Sequence, residues 1–177
     1  MDRFLEEVVV KRNRFVNELM YYFSILMMVV CGLLGMMSLS LVMAQPGLET
    51  IIPAVLFVGI AVYLFFNFDK NRTEYEYTFT NGALDFAMVF NNKKRKSLGS
   101  LNVTKVDAFG RVESGSFRRH INTPGIKKMN WFLNRDANLY YIAFSKDGKK
   151  SIIVFEPSEE MVGYIKHYLP YGASQEN

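Results

Sequence analysis

The apolar positions fall into two regimes. Residues 19–48 run for 30 positions without a charged side chain and residues 50–68 for another 19, divided only by Glu49. Uncharged runs of this length predict membrane-crossing helices over residues 19–44 and 51–68. At 1.5 Å per residue the first would extend about 39 Å, beyond a hydrocarbon core of roughly 30 Å, so it must tilt or protrude. Gln45-Pro46-Gly47-Leu48-Glu49 is too short for anything but a tight link, and the pair reads as a transmembrane helical hairpin. Gly32, Gly35 and Gly59 predict close packing inside that hairpin.

Beyond Asp69 the period changes to two. Tyr75, Tyr77 and Phe79 alternate with Glu74, Glu76 and Thr78, then Asn81-Gly82 supplies a turn, and Leu84, Phe86, Met88 and Phe90 alternate again. Residues 95–100 and 103–109 predict further strands, and residues 139–145 and 151–155 a second hairpin around Asp147-Gly148. A helix follows, capped by Ser158, with Glu159 and Glu160 at its positive end and Met161, Val162, Ile165 and Leu169 on its apolar face. Residues 171–177 read as a frayed tail, and residues 110–136 as a basic loop with one short strand near Met129.

The first 18 residues have a different signature. On a helical wheel Phe4, Leu5, Val8, Phe15, Val16 and Leu19 share one sector and most charges fall outside it, which predicts an amphipathic N-terminal helix. The predicted organisation is therefore α+β: an amphipathic helix over 1–18, the hairpin over 19–68 and a cytoplasmic domain over 69–177.

Charge adds an orientation. Lys11, Arg12 and Arg14 precede the first span, Lys70 and Arg72 follow the second, and the link has no basic residue. Both termini are expected in the cytoplasm, in a multi-pass protein of the plasma membrane. Of the net charge of +4, residues 69–177 contribute +5, an excess suited to an anionic leaflet. The candidate contacts for lipid headgroups or a protein partner are Lys93, Lys94, Arg95, Lys96, Arg118, Arg119, Lys127, Lys128 and Trp131. Nucleic acid is not the expected partner, because the aromatic residues are accounted for by strand interiors and spans.

Chemistry is not indicated. Cys31 is the single cysteine, His120 and His167 have no ligand spacing around them, and neither a phosphate loop nor a nucleophile elbow occurs. No catalytic, cofactor-binding or metal-binding residue is nominated, and the chain is expected not to be an enzyme.

The order of elements, meandering strands followed by one C-terminal amphipathic helix, resembles that of pleckstrin-homology-like domains. More narrowly, Glu74-Tyr75-Glu76-Tyr77-Thr78-Phe79-Thr80-Asn81-Gly82 and Phe155-Glu156-Pro157-Ser158-Glu159-Glu160 resemble stretches of an uncharacterised family of small bacterial two-span membrane proteins. The resemblance implies a C-terminal pleckstrin-homology-like antiparallel β-barrel or sandwich closed by the last helix. The lipid-binding members carry a long basic loop between the first two strands of that meander, whereas Asn81-Gly82 is short and uncharged. The expected function is a non-enzymatic, membrane-anchored binding or scaffold module that meets protein partners or other copies of itself. The alternative is a small accessory subunit of a transporter or other membrane complex.

Overall fold

A computed structural model describes residues 3–146 and 148–175. The chain divides into two compact units: one joins the segment ending at Arg12 to the chain from Glu74 onward, and the other is Asn13–Thr73.

The Asn13–Thr73 unit holds α1 (Phe15–Ala44) and α2 (Leu48–Asn67), both long and apolar enough to cross a membrane. Each begins earlier than the charge-free runs suggest, because Phe15 and Val16 are already helical and Glu49 sits in the first turn of α2, a favoured place for an acid. Thr50 stabilises the link: its hydroxyl donates to Gln45 O (2.9 Å) and accepts from Gly47 N (3.3 Å). Gly35 alone of the three glycines behaves as expected, since a Cβ there would stand 3.0 Å from Val58 Cγ2. Gly32 and Gly59 have open space around them instead. At the other end, a 3-10 turn (Phe68–Arg72) brings Arg72 into an ion pair with Glu18 and to 3.7 Å from the Tyr21 ring centroid, while Asn17 donates to Asn71 O (2.9 Å).

The predicted N-terminal helix is not formed. Phe4–Val9 is a strand, β1, paired antiparallel with β2 (Thr73–Thr80) from Phe4↔Thr80 to Val9↔Tyr75. Its alternation was masked because Glu7 faces inward with Leu5 and Val9, whereas Phe4 and Val8 face outward. The consequence is topological: the helical hairpin is an insertion between β1 and β2, so the sheet-bearing unit is built from both sides of it and is not purely C-terminal.

Sheet A has the order β1-β2-β3-β4, with β3 at Ala83–Phe90 and β4 at Lys94–Asn102. Asn81 (φ 48°) and Gly82 (φ 90°) make the expected left-handed turn between β2 and β3. A bulge between Phe86 and Ala87 leaves Leu98 unpaired in β4. The strand expected over 103–109 is instead a 3-10 turn, Val103–Lys105, followed by β5 (Ala108–Arg111).

Sheet B has the order β5-β7-β8-β6, with β6 at Lys127–Trp131, β7 at Tyr140–Lys146 and β8 at Lys149–Phe155. Here the antiparallel expectation fails once, for β6 runs parallel to β8, and the two sheets form no closed barrel among the described residues. The main core lies between the sheets, with Tyr77, Phe79, Phe86, Phe109, Ile142 and Phe155 at its centre. Helix α4 (Glu159–Tyr168), capped by Ser158 Oγ on Met161 N (3.1 Å), adds Met161, Val162 and Ile165 to it.

The segment 110–136 is ordered structure, not a loop. It contributes β6 and α3 (Gly115–Ile121), and Val112, Phe117, Ile126 and Phe132 cover a second cluster on the outer face of sheet B, Tyr141, Ala143, Ile152 and Val154. Nor is the described part of the tail frayed: Ala173 is buried, Ser174 bridges Phe109, and Gln175 N donates to Phe109 O (2.7 Å). The tail approaches so closely that a Cβ at Gly110 would lie 2.1 Å from Gln175 O. Residues 176 and 177, and Asp147 of the second hairpin turn, lie outside the described residues.

Candidate functional site

The candidate basic residues fall on three elements. Lys93 follows the left-handed pair Asn91 and Asn92 (φ 49° and 53°), and its N–H closes the turn on Phe90 O (3.0 Å). Lys94 and Lys96 pair with Phe90 and Met88, so they share the inner face of sheet A, while Arg95 pairs with Val89 on the outer face. There Arg95 Nε stands 2.8 Å from Glu76 Oε2 in an ion pair. That buried oxygen has no hydrogen-bond partner among the described residues. Burial pushes the Glu76 carboxyl above the usual carboxylate range, and neighbouring Glu6 adds to the rise while Arg95 opposes it.

Lys127 and Lys128 lie on β6, opposite Ser151 and Ile152. The β7–β8 hairpin places Lys146 opposite Lys149 and Lys150 opposite Ser145, so Lys146, Lys149 and Lys150 extend this cationic end of sheet B. These three are not among the candidates nominated from the sequence, although lysines flanking a Gly-containing hairpin turn are a readable signal. A cleft of about 160 Å³ opens between the sheets, walled by Leu98, Gly99, Ser100 and Leu101 of β4 and by Lys127, Met129 and Trp131 of β6. Four consecutive β4 residues line it, as happens where a strand presents its edge; β6 contributes every second residue, as a strand face does. The seam thus unites β4 with β6.

Arg118 and Arg119 belong elsewhere, on the last turn of α3 in the cover over sheet B. Trp131 is chiefly a core residue: its ring packs 4.8 Å from that of Phe86, and its carbonyl accepts a hydrogen bond from the Tyr77 hydroxyl. Burial raises the Tyr77 hydroxyl far above its ordinary range, which keeps it a donor.

At the opposite edge of sheet A the character is acidic. A cleft of about 460 Å³ is lined edge-on by Glu7, Val8, Val9 and Val10, with Arg12 at its end, and, across it, by Glu156, Pro157, Ser158 and Glu159. Glu7 accepts from Ser158 N through both oxygens (3.1 and 3.2 Å), yet burial dominates and pushes its carboxyl up. Buried Asn134 fastens this corner, accepting from Arg12 N (2.8 Å) and donating to Val10 O (3.0 Å) and Glu156 Oε1 (2.9 Å). Phe4 and Val8 on the outer face of β1 are 61% and 52% exposed.

Among the described residues no grouping of His, Cys, Asp or Glu is arranged to hold a metal ion. The site's chemistry is that of surfaces: a basic edge and an acidic edge on one sheet. No curated protein and no solved structure matched the chain. A family model described as bacterial PH-like domain (DUF6106) matches residues 1–174, and with its strand on each side of the helical insertion the chain belongs to that bacterial PH-like domain family.

Proposed function

We propose that this chain is a non-enzymatic, membrane-anchored binding module. In this reading α1 and α2 cross the plasma membrane with both termini cytoplasmic, and the PH-like unit works beside the anionic leaflet, contacting protein partners or further copies. One observation carries it. The chain leaves sheet A after Val9, re-enters opposite at Tyr75, and the basic turn and the start of β4 belong to the same end of the sheet. Residues 93–96 would then be the contacts nearest the headgroups, each cation gaining about 1 kcal/mol beside an anionic surface.

The test is amide exchange of the full chain in nanodiscs of phosphatidylcholine against nanodiscs enriched in phosphatidylglycerol. Slower exchange over residues 91–97 in the anionic discs, reversed by salt, is expected. Equal exchange in both would remove lipid contact from the proposal.

A second reading, an accessory subunit of a transporter or other membrane complex, is favoured by the open space at Gly32 and Gly59. Small residues facing away from their own hairpin allow another helix to approach closely. Gly32→Leu with Gly59→Leu should then abolish co-purification of a stoichiometric membrane partner, whereas Gly35→Leu would disturb the hairpin itself.

A further inference from the structure

Sheet A ends in two unlike edges. β4 begins with three consecutive cations, Lys94, Arg95 and Lys96, and no acidic side chain lines the cleft along its edge. β1 carries Glu6 and Glu7 at its centre, with Glu156 and Glu159 across the neighbouring cleft. Edge strands expose unpaired backbone donors and acceptors, and cations on an edge repel a second basic edge while leaving an acidic one compatible. β1 has no lysine to blunt it, and its exposed Phe4 and Val8 are the features that an uncovered edge avoids.

We propose that the β4 edge of one copy pairs with the β1 edge of the next, continuing sheet A from chain to chain. In sheet A, β1 and β4 run in opposite directions, so two copies in the same orientation bring β4 and the neighbour's β1 together antiparallel. Side-chain parity then selects the register. Glu6 and Arg95 both lie on the outer face, and Glu7 and Lys94 both on the inner face. A single antiparallel register sets Arg95 opposite Glu6 and Lys94 opposite Glu7, both complementary, with Ser97 opposite Phe4. It uses the part of β4 that precedes the bulge at Leu98. The contact is heterologous, so it repeats into a ring or a row.

The inference names the partner for the binding-module reading but does not depend on lipid contact. Its test uses full-length chains in a Cys31→Ala background, in detergent, with two tags. Glu6→Cys in one copy and Arg95→Cys in the other should give a disulfide-linked heterodimer, because directly opposed cross-strand positions lie within bonding reach. The pair Glu6→Cys with Asn102→Cys should not. Arg95→Glu should weaken self-association measured by light scattering about tenfold, and adding Glu6→Arg should restore it. Restoration also shows that the first variant folds. A monomer at every concentration, or crosslinks equally abundant between identical positions, would overturn the proposal; neither result touches the exchange test with anionic nanodiscs. Saturation of the β4 edge by an acidic peptide with no chain-to-chain contact would overturn it too.

Discussion

Sheet B carries a packed cover on its outer face and along its β5 edge, whereas the edges of sheet A open onto clefts. The edge of β5 is met by Ser174 and Gln175, and the outer face by α3 and its flanking residues. Sheet A shares the inner core, and its edges meet the rest of the unit across clefts, β4 facing β6 along residues 98–101 and β1 facing residues 156–159. The difference separates two jobs in one unit. Substitutions in sheet B should be felt as stability, because each buried group there is surrounded by packed neighbours. Those on the rim of sheet A should be felt as association, because exposed charges alter folding free energy little.

The largest effect is expected at β1, where sheet A depends on a distant segment. Deleting residues 3–12 removes Leu5 and Val9 from the core and the ladder on β2, and should cost about 3–5 kcal/mol, read from chemical denaturation. Conversely, replacing residues 10–73 by a short turn should leave a folded, soluble unit, since Val9 and Tyr75 are cross-strand neighbours. An unfolded product by circular dichroism would mean that the helices are needed for the sheets.

Ile152→Ala should cost about 3 kcal/mol, as a fully buried side chain in the doubly covered sheet. Gly110→Ala is expected to cost about 2 kcal/mol, with fast amide exchange at Gln175, because its methyl group needs the space of the Gln175 carbonyl. Little change in either would show the tail and cover to be dispensable. Smaller still is the effect of acid. Burial raises the Glu7 carboxyl, so its ionised form opposes folding; stability from this group is full below the unfolded carboxylate range and is lost as pH rises through the raised folded value. Glu7→Gln should therefore flatten the stability profile between that range and neutrality, with a shift of a degree or two in melting temperature at neutral pH. Gln substitution at Lys93 and Lys94 should change stability by less than ~0.5 kcal/mol while weakening association.

Much of the fold was legible where a single period ran unbroken. The β2–β3 hairpin shows alternating tyrosine and phenylalanine around Asn81-Gly82, and α4 shows a capped apolar face; both needed only local information. β1 was not legible, because strand alternation with an inward Glu7 and outward Phe4 and Val8 imitates a helical stripe. The site was legible in part. The cluster at residues 93–96 could be read as a basic patch, but that it begins a free edge, and that the opposite edge is acidic, depends on strand order.

What the sequence determined by itself was the chemistry of each segment: two charge-free helices, an alternating meander and a capped amphipathic helix. Their backbone and hydrophobic requirements are met by near neighbours in the chain. Long-range packing decides that a strand from before the helices completes a sheet begun after them. It also decides that a basic segment serves as a lid and that one sheet is left with edges of opposite charge. Those outcomes depend on which distant surfaces exclude water together, and no local pattern specifies its own partner.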